Sequence, residues 1–213
     1  MSALIAVKNF ICDMNAAYEE FTAKWNDEYK GVKINLRKKT IKEVGGVDGP
    51  LYGDVVSYLS FLNENSPLIT VCLLQHGEFV FRVSCRVKAR NSVVYKMDHY
   101  TNTKEHEFGN VSVNKCLNDL FGARLILDDN ITFEELNALV NDLGIKNIRC
   151  MDSSKGDYLA SHIYFRKDNK NFPWELQIWT KQNELNNLES HKMYKQGYTK
   201  WEEESKKGGF IRD

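Results

Sequence analysis

Apolar and polar positions along the chain follow two rhythms. Ile11, Met14, Tyr18, Phe21 and Trp25 recur at spacings of three and four, which predicts an amphipathic helix from about Ile11 to Tyr29. From Pro173 to Lys181 the stretch "PWELQIWTK" alternates instead, as a strand does. Trp174, Leu176 and Ile178 are expected to face the core, with Glu175 and Gln177 facing outward.

The same two rhythms divide the remaining chain. "GGVDGPLYGD" (Gly45 to Asp54) is a dense turn signal, followed by a short helix through Val55, Tyr58, Leu59 and Leu62. "PLITVCLL" reads as a strand, His76-Gly77 as a turn and Phe79 to Lys88 as a second strand, together a hairpin. In that second strand Phe79, Phe81, Val83, Cys85 and Val87 share one face, leaving Arg82, Ser84, Arg86 and Lys88 on the other. A helix from about Asn91 to His99, the polar loop "TNTKEHEFGN" and a further helical stretch to Asn118 come next. "LFGARLIL", "NIRCM", "SHIYFRK" and "WELQIW" are expected strands. Thr132 with Glu135 forms a capping box for a helix ending near Gly144, and a last helix covers about Gln182 to Gln196. Strands and helices in this order imply an α+β domain, a mixed β-sheet flanked by helices. One domain is expected over 1–213: an N-terminal helical region with a Gly-rich linker (1–53), a core (66–198) and a C-terminal tail (199–213).

Composition narrows the class. With 213 residues, 42% of them hydrophobic, the chain can bury one substantial core. Lys plus Arg and Asp plus Glu each total 29, so overall charge selects no nucleic-acid or membrane partner. Cys12, Cys72, Cys85, Cys116 and Cys150 are scattered without a C-x-x-C pair, which suggests reduced thiols, a cytoplasmic location and no cysteine zinc site. "MSALIAVKNFICDM" is apolar only in short pieces, and neither a signal peptide nor a membrane span is expected.

Four segments carry candidate chemistry. In "RVKARNSVVYK", Arg86 and Lys88 leave a strand on one face, while Ser92 and Lys96 share a face of the helix that follows. Cations and a hydroxyl at a helix N-terminus suit phosphate. In "DLFGARLIL", Asp119 ends a helix or opens a strand, Gly122 permits close backbone approach, and Arg124 projects from the strand. "DYLASH" offers Tyr158 and His162, and the opening strand offers Glu175 and Gln177. Two separated carboxylates beside a cationic cradle suit Mg²⁺ and a triphosphate. Taken singly, each group has a plainer reading: solvated charge, a helix cap, or a hydrogen-bonded histidine.

In their order, these motifs resemble the synthetase domain of the RelA/SpoT enzymes and, by size, the stand-alone small alarmone synthetases. The family order is R-x-K…S…K, D-x-x-x-x-R, G-Y-x-S-x-H, E-x-Q-x-R-T and H-x-x-Y-K. It is matched by Arg86 and Lys88 with Ser92 and Lys96, Asp119 with Arg124, Tyr158 with His162, Glu175 with Gln177 and Thr180, and His191 with Tyr194 and Lys195. Trp179 stands where the family has arginine; no glycine precedes Tyr158, and the serine is shifted to Ser161. Both departures fall in motifs around the acceptor.

The resemblance implies a nucleotidyltransferase-like fold and transfer of the β,γ-pyrophosphate of ATP to the ribose 3′-hydroxyl of GDP or GTP, without hydrolase activity. It implies that Arg86 and Arg124 sandwich adenine, that Lys88, Ser92 and Lys96 hold phosphates, and that Asp119 and Glu175 bind Mg²⁺. Glu175 would also orient or deprotonate the attacking hydroxyl. Tyr158, His162, Gln177, His191 and Tyr194 would serve the acceptor. A second reading keeps the chemistry but takes the 3′ end of tRNA as acceptor, as toxic family members do, with a neutralising antitoxin protein as a further partner. Its sequence hint is "RKKTIK", where Arg37, Lys38, Lys39 and Lys42 are candidate RNA contacts. A third reading is a nucleotide-binding regulator without catalysis.

Overall fold

The structure, a computed structural model, describes residues 3–46, 48–74 and 81–207. On the last helix, only the backbone is described at 194–196, 198, 199 and 201–207. The chain runs α1 (Ala3–Tyr29), α2 (Ile41–Val44), α3 (Pro50–Leu74), β1 (Phe81–Val87), α4 (Arg90–Asn102), α5 (Val113–Cys116), β2 (Phe121–Leu127), α6 (Phe133–Asp142), β3 (Ile148–Asp152), β4 (Ser161–Phe165), β5 (Trp174–Thr180) and α7 (Glu184–Lys207). The five strands form one mixed sheet in the order β1-β2-β5-β4-β3, with only β2 and β5 parallel. This is the expected α+β architecture.

The α1 stripe is core, as its spacing implies: Ile11, Met14, Tyr18, Phe21 and Trp25 are buried. Tyr18 and Phe21 pack their rings 5.3 and 5.2 Å from Trp174, which donates to the Tyr58 hydroxyl of α3 at 3.0 Å. Thr132 and Glu135 close the capping box of α6 through reciprocal bonds of 3.2 and 2.8 Å.

One expected strand is helix. "PLITVCLL" forms the C-terminal third of α3, so the helix expected through Val55, Tyr58, Leu59 and Leu62 runs on to Leu74. A short apolar run satisfies strand and helix periodicities alike; here Leu62, Ile69 and Leu73 are the buried positions, at helical spacing. Pro67, inside the helix, cannot donate to Asn63, and the Ser66 hydroxyl takes that carbonyl at 3.4 Å. The His76-Gly77 turn and the strand start at Phe79 lie outside the described residues. α4 continues to Asn102. The loop after it is a 3₁₀ turn over Lys104–Gly109, and the helical stretch expected up to Asn118 is the single turn α5. α7 extends to Lys207, past the expected end at Gln196 and into the expected tail. Among the described residues, no helix is long and apolar enough to cross a membrane.

Strand register decides which side chains meet. Cys85, Ala123, Leu176, Ile163 and Cys150 line up across all five strands, as do Ser84, Arg124, Gln177, His162 and Met151 one residue further on. Because side chains alternate between faces, the first row packs on the core and the second faces the other side. Arg86, Gly122, Glu175 and Tyr164 form a second polar row beside it.

Candidate active site

The polar face is not open, and this corrects the outward, solvated placement expected of Glu175 and Gln177. They are 5% and 6% exposed, because neighbouring strands fill both flanks and α7 lies over the face. A cleft of about 390 Å³ remains, lined among others by Arg86, Gly122, Arg124, Glu175, Gln177 and, from α7, His191. Gly122 lines it without a side chain; a Cβ there would make only ordinary contact, 3.7 Å from the Glu175 carbonyl oxygen.

Glu175 stands at the centre of a hydrogen-bond chain. Its Oε1 accepts from the Tyr164 hydroxyl at 2.9 Å and from His162 Nδ1 at 3.0 Å, and its Oε2 accepts from Gln177 Nε2 at 2.8 Å. The carboxylate fixes the His162 proton on Nδ1, so Nε2 accepts from the Tyr158 hydroxyl at 2.9 Å. Trp179 Nε1 donates in turn to Tyr158 at 3.3 Å. Burial works to raise the Glu175 pKa, but the hydrogen bond from His162 outweighs it and holds the carboxyl below its usual range. Burial and the same carboxylate push Tyr164 well above the ordinary phenol range. Tyr164 is absent from the sequence reading. Its signal was parity, because a residue two after His162 on one strand shares its face.

Arg124 is held on several sides. Its Nε and Nη2 donate to Gln177 Oε1 at 3.0 and 2.9 Å, and its guanidinium lies 3.7 Å from the centre of the Trp179 ring. His191 Nε2 is 3.4 Å from Nη2. Trp179, the departure from the family pattern, is therefore the platform under Arg124.

Asp119 lies two residues before β2, buried between cations. Lys88 Nζ is 2.5 Å from Oδ2, Lys96 Nζ is 3.0 Å from Oδ1, and Arg86 Nη2 is 3.8 Å away. Burial favours the protonated acid, yet Lys96 and Lys88 prevail and hold the pKa far below the ordinary carboxylate range. Burial alone would lower Lys96, but Asp119 outweighs it and raises that pKa, whereas burial wins at Lys88. Lys96 also donates to the Asn118 side chain at 3.2 Å. α4 begins here, with Ala89 as N-cap and no side-chain cap, and Ser92 is half-buried in its first turn. A helix start beside two lysines suits an anion.

The structure thus brings together Arg86, Lys88, Lys96, Asp119, Arg124, Tyr158, His162, Glu175, Gln177 and His191, with Ser92 at the same helix start. The Tyr194 and Lys195 side chains lie outside the described residues. Arg37, Lys38, Lys39 and Lys42 sit apart from the cleft's lining: Lys39 pairs with Glu43 at 3.0 Å, and Arg37, Lys38 and Lys42 are exposed.

His191 couples the site to α7. Burial, then Arg124 and Arg86, push its imidazole down to about 4, so it is neutral in the folded chain at neutral pH. Its ordinary value of about 6.5 applies once the chain unfolds. Stability from this group is present above about 6.5 and is lost as pH falls toward the folded value. The melting temperature is expected to fall more steeply from pH 6.5 to 4 in the parent than in His191→Gln. Parallel pH profiles would rule this out.

No family model matches the chain, and no curated protein matches it. Among solved structures it is similar to small alarmone synthetase 1 from Bacillus subtilis, at 17% identity and a TM-score of 0.40, covering 68% of this chain and 78% of that one. Small alarmone synthetase 2 from the same organism gives 19% identity and 0.39, covering 68% and 79%. The first of these bound to its product pppGpp gives 15% and 0.37, covering 67% and 78%. Likeness at these values carries no weight for activity.

Proposed function

We propose that the chain transfers the β,γ-pyrophosphate of ATP to the ribose 3′-hydroxyl of GDP or GTP, without hydrolysing the product. The observation that supports this most is the cleft itself. It has a buried, ionised Glu175 on its floor and arginines from two strands in its lining, one of which, Arg86, reaches to 3.8 Å from Asp119, where Lys88 and Lys96 gather beside the start of α4. Arg124, backed by Trp179, offers its other guanidinium face to adenine, and Arg86 on the neighbouring strand offers a second. Lys88, Lys96, Ser92 and the first N–H groups of α4 hold the phosphates. Glu175 orients the acceptor hydroxyl and takes its proton, helped by His162, whose own orientation Tyr158 and Glu175 fix. Tyr158, Gln177, His191 and Tyr194 serve the acceptor. Positioning and charge supply the catalysis.

The donor set fits Mg²⁺. The oxygens of Asp119 and Glu175 are hard, and the donors already on them leave acceptor capacity on Asp119 Oδ1 and Glu175 Oε2. When bound by these two carboxylates, the ion would neutralise charge on the transferring phosphates.

The test is ATP labelled in the γ position, incubated separately with GDP, GTP and tRNA. Label is expected in the guanosine nucleotide. The runner-up, transfer to the 3′ end of tRNA, draws on exposed Arg37, Lys38 and Lys42 and predicts label in tRNA alone. No label in any pool would overturn both.

Trp179 gives a separate prediction. Trp179→Leu removes the plane under Arg124 and should weaken binding of a non-hydrolysable ATP analogue about 10-fold, since a well-placed cation–π contact contributes about 1–2 kcal/mol. Trp179→Phe should retain most of the affinity. Equal loss in both, measured by titration, would count against the platform.

A further inference from the structure

α4 ends in a turn that the chemistry above does not use. After Asn102 the chain tightens into the 3₁₀ turn Lys104–Gly109, where Glu107, Phe108 and Gly109 have φ of 51°, 48° and 78°. Glycine accepts this left-handed region freely, but a glutamate and a phenylalanine adopt it only at a cost in free energy. Strain of this kind persists where surrounding contacts enforce it, and it clusters at functional positions. In the same turn Glu105 and His106 lie against the last turn of α4, which carries His99.

The side chains brought together are two imidazoles and a carboxylate. The ligand atoms of His99, Glu105 and His106 all lie within 4.8 Å of one another. Both rings are backed by tyrosines: His99 stacks on Tyr95 with centroids 5.7 Å apart, and His106 lies flat on Tyr100 at 3.6 Å and 5°. The two imidazoles meet edge to face at 5.5 Å. A cation is already drawn there, with Lys155 Nζ 3.2 Å from Glu105 Oε1.

We propose that His99, Glu105 and His106 bind a divalent transition-metal ion of the zinc type, which clips the Lys104–Gly109 turn to the end of α4. Two nitrogens and one oxygen are a zinc donor set, whereas Mg²⁺ prefers oxygen alone. A tetrahedral ion with bonds of about 2.1 Å needs ligand atoms about 3.4 Å apart, so the cluster must tighten by up to roughly 1.4 Å. Glu105 is the side chain placed to move. Its pair with Lys155 is 64% and 85% exposed on the two side chains, and such pairs contribute little. Three protein ligands leave a fourth position for water. Tyr100 links this site to the Asp119 cluster: its ring carries His106 on one side and has Lys96 Nζ 5.8 Å from its centre, and Lys96 holds Asp119. The ion would thus brace the helix segment that carries Lys96.

The test is independent of any transfer activity. The untagged full chain, stripped by a chelator, is titrated with Zn²⁺ against a chromophoric competitor and with Co²⁺ by visible absorption. One equivalent of Zn²⁺, the intense visible bands of four-coordinate cobalt, and a zinc-induced rise in melting temperature are expected. His99→Asn, Glu105→Gln and His106→Phe, the last keeping a ring on Tyr100, should each lose all three responses and still melt like the metal-free parent. A parent that takes up no stoichiometric zinc, or binding that all three variants retain, would overturn the proposal.

Discussion

The Glu175→Gln variant should fold and yet transfer pyrophosphate about 10²-fold more slowly, or worse, because a metal-binding, proton-accepting carboxylate becomes a neutral amide. The substitution is nearly isosteric, but the hydrogen bonds are not interchangeable. If the new amide keeps its oxygen toward Tyr164 and His162, its NH₂ meets the Gln177 NH₂, and Gln177 must turn over. Turning Gln177 over removes the oxygen that Arg124 donates to. A stability loss of about 1–3 kcal/mol is therefore expected alongside the activity loss. Turnover of the purified variant and its melting curve separate the two effects. Near-normal turnover would remove Glu175 from the chemistry.

Asp119→Asn should show the larger effect on stability. It leaves Lys88 and Lys96, whose side chains are each 12% exposed, without their carboxylate. Breaking a buried pair in this way costs about 3–5 kcal/mol, which for a chain of this size lowers the melting temperature by roughly 6–20 °C. The pH dependence has two arms. The Asp119 pKa is depressed, so its contribution is present above the unfolded value of about 3.9 and is lost as pH falls toward the folded one. The Lys96 pKa is raised, so its contribution is complete below about 10.4 and is lost as pH rises toward the folded value. Both arms should flatten in the variant. An unchanged melting temperature across the range would show that the lysines do not depend on Asp119.

Much of this site was legible because strand parity is a local property. "WELQIW" assigns Glu175, Gln177 and Trp179 to one face whatever covers it, and the structure keeps that assignment. Burial of that face was not legible, because it depends on α7, which follows β5 in the chain and packs back over the sheet through His191. The meeting of Asp119 with Lys88 and Lys96 was hidden for a related reason. The groups were all singled out, but separations of 31 and 23 residues say nothing of distance in space. "PLITVCLL" misled because eight apolar-rich residues satisfy either rhythm, and only its continuity with the buried positions from Leu51 to Leu62 marks it as helix. Tyr164 passed unnoticed because a tyrosine in a strand most often simply packs, and its hydroxyl is tied to Glu175 only through the pairing of β4 with β5.

The fate of each phosphate of ATP tests the central claim most directly. ATP labelled separately in the α and γ positions is incubated with the chain, Mg²⁺ and GDP or GTP, and the nucleotides are separated. The α label should appear in AMP, in amounts equal to a guanosine product that carries the γ label on its 3′ side. ADP in place of AMP, α label on the acceptor, or intact ATP in the presence of acceptor would contradict pyrophosphate transfer by this cleft.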